Sequence, residues 1–185
     1  MQHISATHPS RIISFCPKCG ASDFTFDSEK AFNCGSCGFR YYINPAPAVA
    51  AILQAPDGRI VLTRRKFDPG AGKFDLPGGF VDMMEPAENA VRREILEELG
   101  VTVTSMKFLA SFPNEYAFRG ISYFTCDLAF VCETSGLSKM QPSDDVDEAV
   151  LVSPYEIDYN SISFPSVISI LKTYIETLDH KKGRS

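Results

Sequence analysis

The chain has 185 residues, of which 44% are hydrophobic and 22% are charged, a balance typical of a folded globular protein and not of a disordered one. This length accommodates one ordinary domain plus a small appendage. The net charge of −5 argues against general binding of nucleic acid through a broadly basic surface, although a locally positive pocket can still hold a nucleotide.

The N-terminal fifteen residues contain no apolar run of the kind found in a signal peptide. No later stretch approaches the ~20 apolar residues that cross a bilayer. We therefore predict a cytoplasmic protein that does not associate with membranes.

Four cysteines near the N-terminus form two matched pairs, each with the spacing CxxC and each followed by glycine: Cys16, Cys19, Cys34 and Cys37. Two such turns can bring four thiolates to one tetrahedral ion, and the residues between them can form a short hairpin. The alternatives are two disulfides or redox pairs, but the lack of a secretion signal favours reduced thiols. We predict a zinc ribbon in residues 1–44, with nucleic-acid binding and homodimer formation left open as further roles.

The remaining residues, 45–185, have the pattern of an α/β domain. Residues 49–53 and 60–64 are two apolar runs joined by a turn, so we predict a β-hairpin. Further strands are predicted at 101–109, 121–132 and 149–152, and an amphipathic helix at 164–178. Two further cysteines, Cys126 and Cys132, are interpreted as packing residues.

Between these elements lies the segment that constrains function most, residues 79–101, with the pattern G-x5-E-x7-R-E-U-x-E-E-x-G-U, where U is a bulky aliphatic residue. Proline and glycine at its ends predict a helix over residues 86–99. At 100° per residue, Glu94, Glu97 and Glu98 share one face, while Ile95, Leu96 and Leu99 gather on the other. Three neighbouring carboxylates repel one another, and a divalent cation such as Mg²⁺ would turn that repulsion into coordination; the alternative is a solvated acidic face.

This pattern resembles the signature box of the Nudix hydrolases at every fixed position, Gly79, Glu85, Arg93, Glu94, Ile95, Glu97, Glu98, Gly100 and Val101. The resemblance implies a Nudix α/β/α sandwich with a mixed sheet, preceded here by the small ribbon. It implies Mg²⁺ or Mn²⁺ held at a diphosphate by Glu94, Glu97, Glu98 and the backbone carbonyl of Gly79. By the same resemblance Arg93 orients the glutamates, one of which can double as the catalytic base.

Residues 111–120 are predicted to be a loop that selects the substrate. Phe112, Tyr116 and Phe118 would stack on a base, or one or two of them would simply close the core. Arg64 is a nearby cation that would neutralise phosphate.

A ribbon followed by the box resembles the NADH pyrophosphatase branch of the Nudix hydrolases. Ser111 and Pro113 match that branch's additional motif, whereas its aromatic-proline core is missing. By the same resemblance, Glu148 is a glutamate that binds metal or acts as the catalytic base, with Asp145 as the second candidate.

The expected activity is hydrolysis of a nucleoside diphosphate derivative such as ADP-ribose or NADH. The partner is then a small nucleotide, and nucleic acid enters only as a capped RNA end. The alternatives are hydrolysis of dinucleoside polyphosphates or modified nucleoside triphosphates, a non-catalytic ligand sensor, and a zinc-ribbon module that binds nucleic acid.

Overall fold

The computed structural model describes residues 5–27 and 30–182, which form two compact units. Unit 1 comprises Met1–Pro45 together with Glu115–Phe124, and unit 2 comprises Ala46–Asn114 together with Thr125–Ser185. None of the helices within the described ranges combines the length and the apolar composition needed to cross a membrane.

Unit 1 contains a short helix, α1 (Pro9–Ile12), and an antiparallel sheet of three strands in the order β1, β2, β3: β1 (Phe24–Phe26), β2 (Ala31–Cys34) and β3 (Arg40–Tyr42). The predicted hairpin between the cysteine pairs is confirmed by the pairing of β1 with β2. Its core is aromatic, since the rings of Phe24 and Phe32 stack with centroids 4.9 Å apart. Strand β3 follows the second cysteine pair and pairs with β2.

A long β-hairpin contributes its tip to unit 1. Strands β7 (Thr102–Phe118) and β8 (Ile121–Ser135) are joined by Arg119 and Gly120, whose φ angles of 48° and 85° suit a tight hairpin turn. The predicted loop at residues 111–120 is therefore wrong. Side chains there alternate between half-buried and exposed, the period of a strand, and Pro113 is tolerated because β7 lies at a sheet edge.

The hairpin tip folds together with the N-terminal segment. The Glu115 carboxylate accepts hydrogen bonds from the hydroxyls of Ser5 at 2.7 Å and Ser122 at 2.6 Å. The His8 ring lies between the rings of Phe26 and Phe124, with each centroid 5.4 Å away. Unit 1 is thus assembled from two distant parts of the chain.

Unit 2 contains two three-stranded sheets. The first has the order β4, β8, β7, with β4 (Ala46–Leu53) parallel to β8; the second has the order β6, β5, β9, formed by β5 (Ile60–Arg65), β6 (Phe74–Asp75) and β9 (Val146–Val152). The predicted hairpin of residues 49–53 with 60–64 is wrong, because β4 pairs along its length with β8, and the bridge to β5 lies just beyond the end of β4, between Gln54 and Ile60. A strand buried on both faces carries a continuous apolar run, which does not reveal its partner.

Two helices cover opposite faces of this sheet layer. Helix α2 (Ala87–Leu99) packs with Val49, Ala51 and Leu53 of β4, while α3 (Pro165–Lys182) packs with Ala50 and Ile52. Alternate residues of one strand therefore feed two cores, and the predicted α/β/α sandwich with a mixed sheet is confirmed.

The predicted core face of α2 needs one correction, at Leu96. This side chain is 56% exposed, because it lies about 60° of helix rotation beyond Leu99, at the margin of the buried stripe. Glu98 takes the place expected of an apolar residue, since it is buried on the face of α2 that contacts the sheet.

Helix α2 ends at Gly100, whose left-handed φ of 66° lets its N–H donate to the carbonyl of Leu96 at 3.0 Å. We expect Gly100→Ala to lower the free energy of unfolding by about 1–2 kcal/mol, because a Cβ is disfavoured in this conformation. Gly100→Asn should cost less, since asparagine tolerates it. Urea unfolding of the three proteins measures this order, and equal stability of all three would contradict it.

Candidate active site

The box begins in a loop that runs beside β4. The N–H of Val49 donates to the Gly79 carbonyl at 2.8 Å, and the N–H of Val81 donates to the Pro47 carbonyl at 3.0 Å. Gly78 has φ of 145°, and a Cβ there would lie 2.1 Å from the Val49 carbonyl oxygen. A Cβ on Gly79 would lie 2.5 Å from a carboxylate oxygen of Glu94. Gly78 is therefore required for the loop to approach β4 so closely, whereas a side chain at position 79 would displace the Glu94 carboxylate.

Arg93 lies at the centre of the box. Its guanidinium donates to both carboxylate oxygens of Glu85 at 3.0 and 2.9 Å, to Glu94 at 2.8 Å and to Glu97 at 3.2 Å. It also donates to the Phe80 carbonyl at 3.0 Å, which fixes the loop to the helix. The Arg93 hydrogen bonds lower the pKa of Glu85, and the surrounding carboxylates raise the pKa of Arg93. This network orients Glu94 and Glu97 from one side.

Glu98 is the most deeply buried acid of the box, with only 5% of its surface exposed. Burial raises its pKa well above the ordinary glutamate value, and the carboxylates of Asp145 and Glu94 raise it further. The Gly78 N–H, which donates to Glu98 at 3.1 Å, acts in the opposite direction. The charged form of Glu98 is therefore poorly compensated by the protein alone.

The charge of Glu94 is also poorly compensated, although to a lesser degree than that of Glu98. Burial raises its pKa, the Arg93 hydrogen bond lowers it, and the charges of Glu97 and Asp145 raise it again. Several carboxylates thus converge, and among the described residues the donors to the Glu94 and Glu98 carboxylates are the Arg93 guanidinium and the Gly78 N–H. A divalent cation fits this set of hard oxygen donors, because it would neutralise charge that the protein leaves unbalanced.

The carboxylate oxygens of the box are farther apart than the ligands of a bound metal ion would be. In residues 5–27 and 30–182, only the cysteine cluster has its ligand atoms within 4.8 Å of one another. Glu94 and Glu97 both face the Arg93 guanidinium instead.

Asp145 and Glu148, the two acids after the box that the sequence predicted to lie near the site, have different surroundings in the structure. Asp145 is close enough to raise the pKa of both Glu94 and Glu98. Glu148 instead accepts a hydrogen bond from Arg64 at 2.9 Å. Asp145, the runner-up by sequence, is therefore the one in electrostatic contact with the box.

The four ribbon cysteines converge as predicted. Their Sγ atoms all lie within 4.8 Å of one another, with Cys16 and Cys37 separated by 3.8 Å and Cys19 and Cys34 by 3.6 Å. A tetrahedron with Zn–S bonds of ~2.3 Å has sulfur–sulfur edges of about 3.8 Å. All four cysteines are free of disulfides, so the donor set fits zinc.

The NUDIX domain profile matches residues 44–167, which include the whole box and most of unit 2. The chain belongs to the NUDIX family.

Several known NUDIX proteins are similar to this chain. The ADP-ribose pyrophosphatase of Methanocaldococcus jannaschii is 37% identical over 113 residues, which are 60% of this chain and 63% of that protein. The NAD-capped RNA hydrolase NudC of Haemophilus influenzae is 29% identical over 119 residues, covering 62% of this chain and 43% of NudC. The chain thus spans less than half the length of that relative.

Solved NUDIX structures share the fold. A NUDIX hydrolase from Nitrosomonas europaea superposes with a TM-score of 0.68 and 26% identity, covering 91% of this chain and 93% of that one. The MutT NUDIX hydrolase from Burkholderia pseudomallei has a TM-score of 0.60 and 27% identity, and covers 70% of this chain and 98% of that one. The first match extends beyond the NUDIX domain of this chain.

The substrate residues that sequence singled out are dispersed in this NUDIX chain. Phe112 packs against the core beneath α3, which favours the core role that was left open for it. Tyr116 and Phe118 are neighbours in unit 1, with ring centroids 6.2 Å apart, and the Arg119 guanidinium lies 5.2 Å from the Phe118 ring. In unit 2, Arg64 lies 4.2 Å from the Phe74 ring and donates to the Gly72 carbonyl.

Sequence reasoning missed Gly78 as a contributor to the NUDIX site. The pair Gly78 and Gly79 was visible, but an isolated pair of glycines usually marks only a turn. The hydrogen bond from the Gly78 N–H to Glu98 depends on the packing of the loop against α2, which no local pattern encodes.

Proposed function

We propose that this NUDIX protein hydrolyses the diphosphate bond of a nucleoside diphosphate linked to another moiety, such as ADP-ribose or NADH. The observation that carries this proposal is the charge-unbalanced group beside the glycine loop, in which Glu98 is buried, Glu94 is half-buried and the exposed Asp145 raises the pKa of both. The names of the M. jannaschii and H. influenzae relatives, which act on ADP-ribose and NAD-capped RNA, support the same substrate class.

A divalent cation, Mg²⁺ or Mn²⁺, bound by Glu94, Glu97, Glu98 and the Gly79 carbonyl, with Glu148 or Asp145 completing the set, would supply neutralisation of the diphosphate charge and an activated water. The Gly79 carbonyl already accepts one hydrogen bond, from Val49, and a carbonyl oxygen has a second lone pair for a cation.

The protein's own contribution is to orient and to accept a proton. Arg93 restricts the orientations of Glu94 and Glu97, because its guanidinium donates to both carboxylates. The proton of the attacking water passes to a carboxylate, with Glu94, Glu97 and Glu148 as the candidate bases. Glu97 is well suited to this step because its side chain is 48% exposed and therefore reachable by water.

Arg64 is proposed to neutralise a substrate phosphate. Its guanidinium is shared between Glu148 and the Gly72 carbonyl, so it is held in one orientation by the second sheet of unit 2. Substrate phosphate would compete with Glu148 for this guanidinium and release that carboxylate for catalysis.

Zinc is proposed to be structural. Four thiolates complete a tetrahedral shell and leave no open position for substrate. Cys16, Cys19, Cys34 and Cys37 would therefore stabilise unit 1 without taking part in hydrolysis. The stacking role of Tyr116 and Phe118 stays a prediction from the sequence.

A product-resolved screen tests the proposed function. We expect the full chain to cleave ADP-ribose, NADH or NAD-capped RNA at the diphosphate, releasing a nucleoside monophosphate end, in the presence of Mg²⁺ or Mn²⁺. Removal of the cation with EDTA should abolish cleavage, and re-addition should restore it. Dinucleoside polyphosphates, nucleotide sugars and oxidised nucleoside triphosphates serve as comparison substrates. If the chain cleaves none of these compounds, the proposal is overturned.

A further inference from the structure

A largely buried acidic side chain, Asp127, lies in the middle of strand β8. The parallel register pairs Asp127 with Ala48 and Thr125 with Ala46. Two residues further along, Ala50 and Ala129 are paired and belong to the core beneath α3. Because side chains alternate along strands and cross-strand partners share a face, Asp127 lies on this same face, opposite to α2.

The Asp127 carboxylate is only partly satisfied by the protein. It is 8% exposed, and the hydroxyl of Thr125, itself 4% exposed, donates to its Oδ1 at 2.6 Å. Within residues 5–27 and 30–182 this hydroxyl is the only hydrogen-bond donor found for the carboxylate. The other oxygen, Oδ2, is not completely buried and therefore retains access to solvent. A largely buried carboxylate normally accepts several hydrogen bonds, so this oxygen is available to a ligand donor.

Asp127 lies close to the catalytic loop in the sheet register. Ala48 pairs with Asp127 on one side and forms a bridge with Phe80 on the other. Phe80 follows Gly79 and its carbonyl accepts from Arg93. Adjacent strands are ~4.8 Å apart, so the Asp127 backbone lies about 10 Å from that of Phe80. This separation is comparable to the reach of a nucleoside from its diphosphate to its base.

The side chains between these two positions are small or partly exposed. Ala46 and Ala48 are half-buried, and Phe80 is 41% exposed. An apolar strip with one acceptor at its far side has the composition of a base-binding site, where apolar contacts hold the ring and a few polar groups select it.

We propose that Asp127 is a specificity-determining residue, accepting a hydrogen bond from the exocyclic amino group of the substrate's nucleobase. This inference rests on the proposed function, because it assumes that a nucleoside diphosphate derivative binds at the box. Thr125 acts as a positioning residue, since its hydroxyl fixes one oxygen of the carboxylate and turns the other towards the base.

Two substrates that differ only in the base test this assignment. ADP-ribose presents an amino group, whereas its inosine counterpart presents a carbonyl oxygen at the same place and keeps the ribose hydroxyls and the diphosphate. We expect the parent to favour ADP-ribose in kcat/KM by about 10- to 100-fold, the range for a hydrogen bond to a charged group. Asp127→Asn should abolish or invert this preference, mainly through KM, because an amide can donate to the carbonyl oxygen.

Glu133→Gln is the matched control, because it makes the same change of charge at an exposed position of the same strand. It should leave the ratio of the two kcat/KM values unchanged. Circular dichroism of each variant establishes that it is folded. If the folded Asp127→Asn protein loses activity equally on both substrates, or keeps the parental ratio, Asp127 does not read the base. If the parent cleaves neither substrate, the proposed function itself has failed for this substrate class.

Discussion

Glu98→Gln is expected to lower the cation-dependent kcat by about 10²–10⁴-fold while stabilising the cation-free protein at neutral pH. The loss of activity follows because a neutral amide cannot share in binding Mg²⁺ or Mn²⁺ as a carboxylate does. The gain in stability follows because the charge of Glu98 is buried and repelled by Asp145 and Glu94. A residue needed only for packing would not give opposite signs in the two measurements.

The pH dependence of stability has a defined sign for this residue. The folded protein binds the Glu98 proton more tightly than the unfolded chain does, since folding raises the pKa. Stability conferred by this group is therefore present below the ordinary glutamate pKa of ~4.3 and is lost as pH rises towards the raised folded value. Glutamine does not ionise, so Glu98→Gln should show a smaller fall in the free energy of unfolding between pH 5 and pH 7.5.

Urea unfolding without divalent cations measures that fall, and steady-state hydrolysis of ADP-ribose measures kcat. Glu88→Gln is the matched control, because Glu88 is an exposed acid in the first turn of the same helix. It should leave both quantities near their parental values. Parental activity in Glu98→Gln would remove Glu98 from the proposed cation site.

Cys34→Ser should have the second large effect, in unit 1. Cys34 is 4% exposed and contributes one of the four clustered thiols, and a serine hydroxyl does not replace a thiolate as a zinc ligand. We expect the parent to be purified with about one zinc ion per chain and the variant to bind zinc at least ~100-fold more weakly. Because zinc affinity and folding are coupled in such small sites, hydrogen exchange of the β1, β2 and β3 amides should accelerate in the variant.

Metal analysis and a competitive chelator titration measure the change in affinity. Cys126→Ser removes a thiol outside the cluster and should leave zinc content unchanged. The zinc assignment would be wrong if the freshly purified parent contained none, or if Cys34→Ser bound it as tightly as the parent.

The features predicted correctly from sequence are those encoded over a few residues. Helix α2 follows from apolar periodicity bounded by proline and glycine, and the ribbon from two CxxC turns. Pairing between distant strands is not encoded in this way. The parallel partner of β4 is β8, more than seventy residues later, and the apolar run of β4 would suit any buried neighbour equally well.

The same distinction applies to the candidate site. The carboxylates at Glu94, Glu97 and Glu98 could be read from their spacing, because one helix holds all three. The proximity of Asp145 to the box depends on the path of the chain into β9, and the position of Asp127 depends on the register of β8 against β4. An acid directly before the apolar run of residues 128–132 was a visible signal for Asp127, although it does not indicate which face or neighbour the side chain meets.

The participation of residues 115–124 in unit 1 has a consequence for how this protein can be divided. A fragment confined to residues 44–167 would contain Glu115 and Phe124 but lack Ser5 and His8, their partners. Such a fragment would carry an unsupported hairpin end with a newly exposed aromatic ring, which favours aggregation. Exchange of the N-terminal segment between relatives, in evolution or by design, therefore requires matched changes at least 110 residues further along the chain.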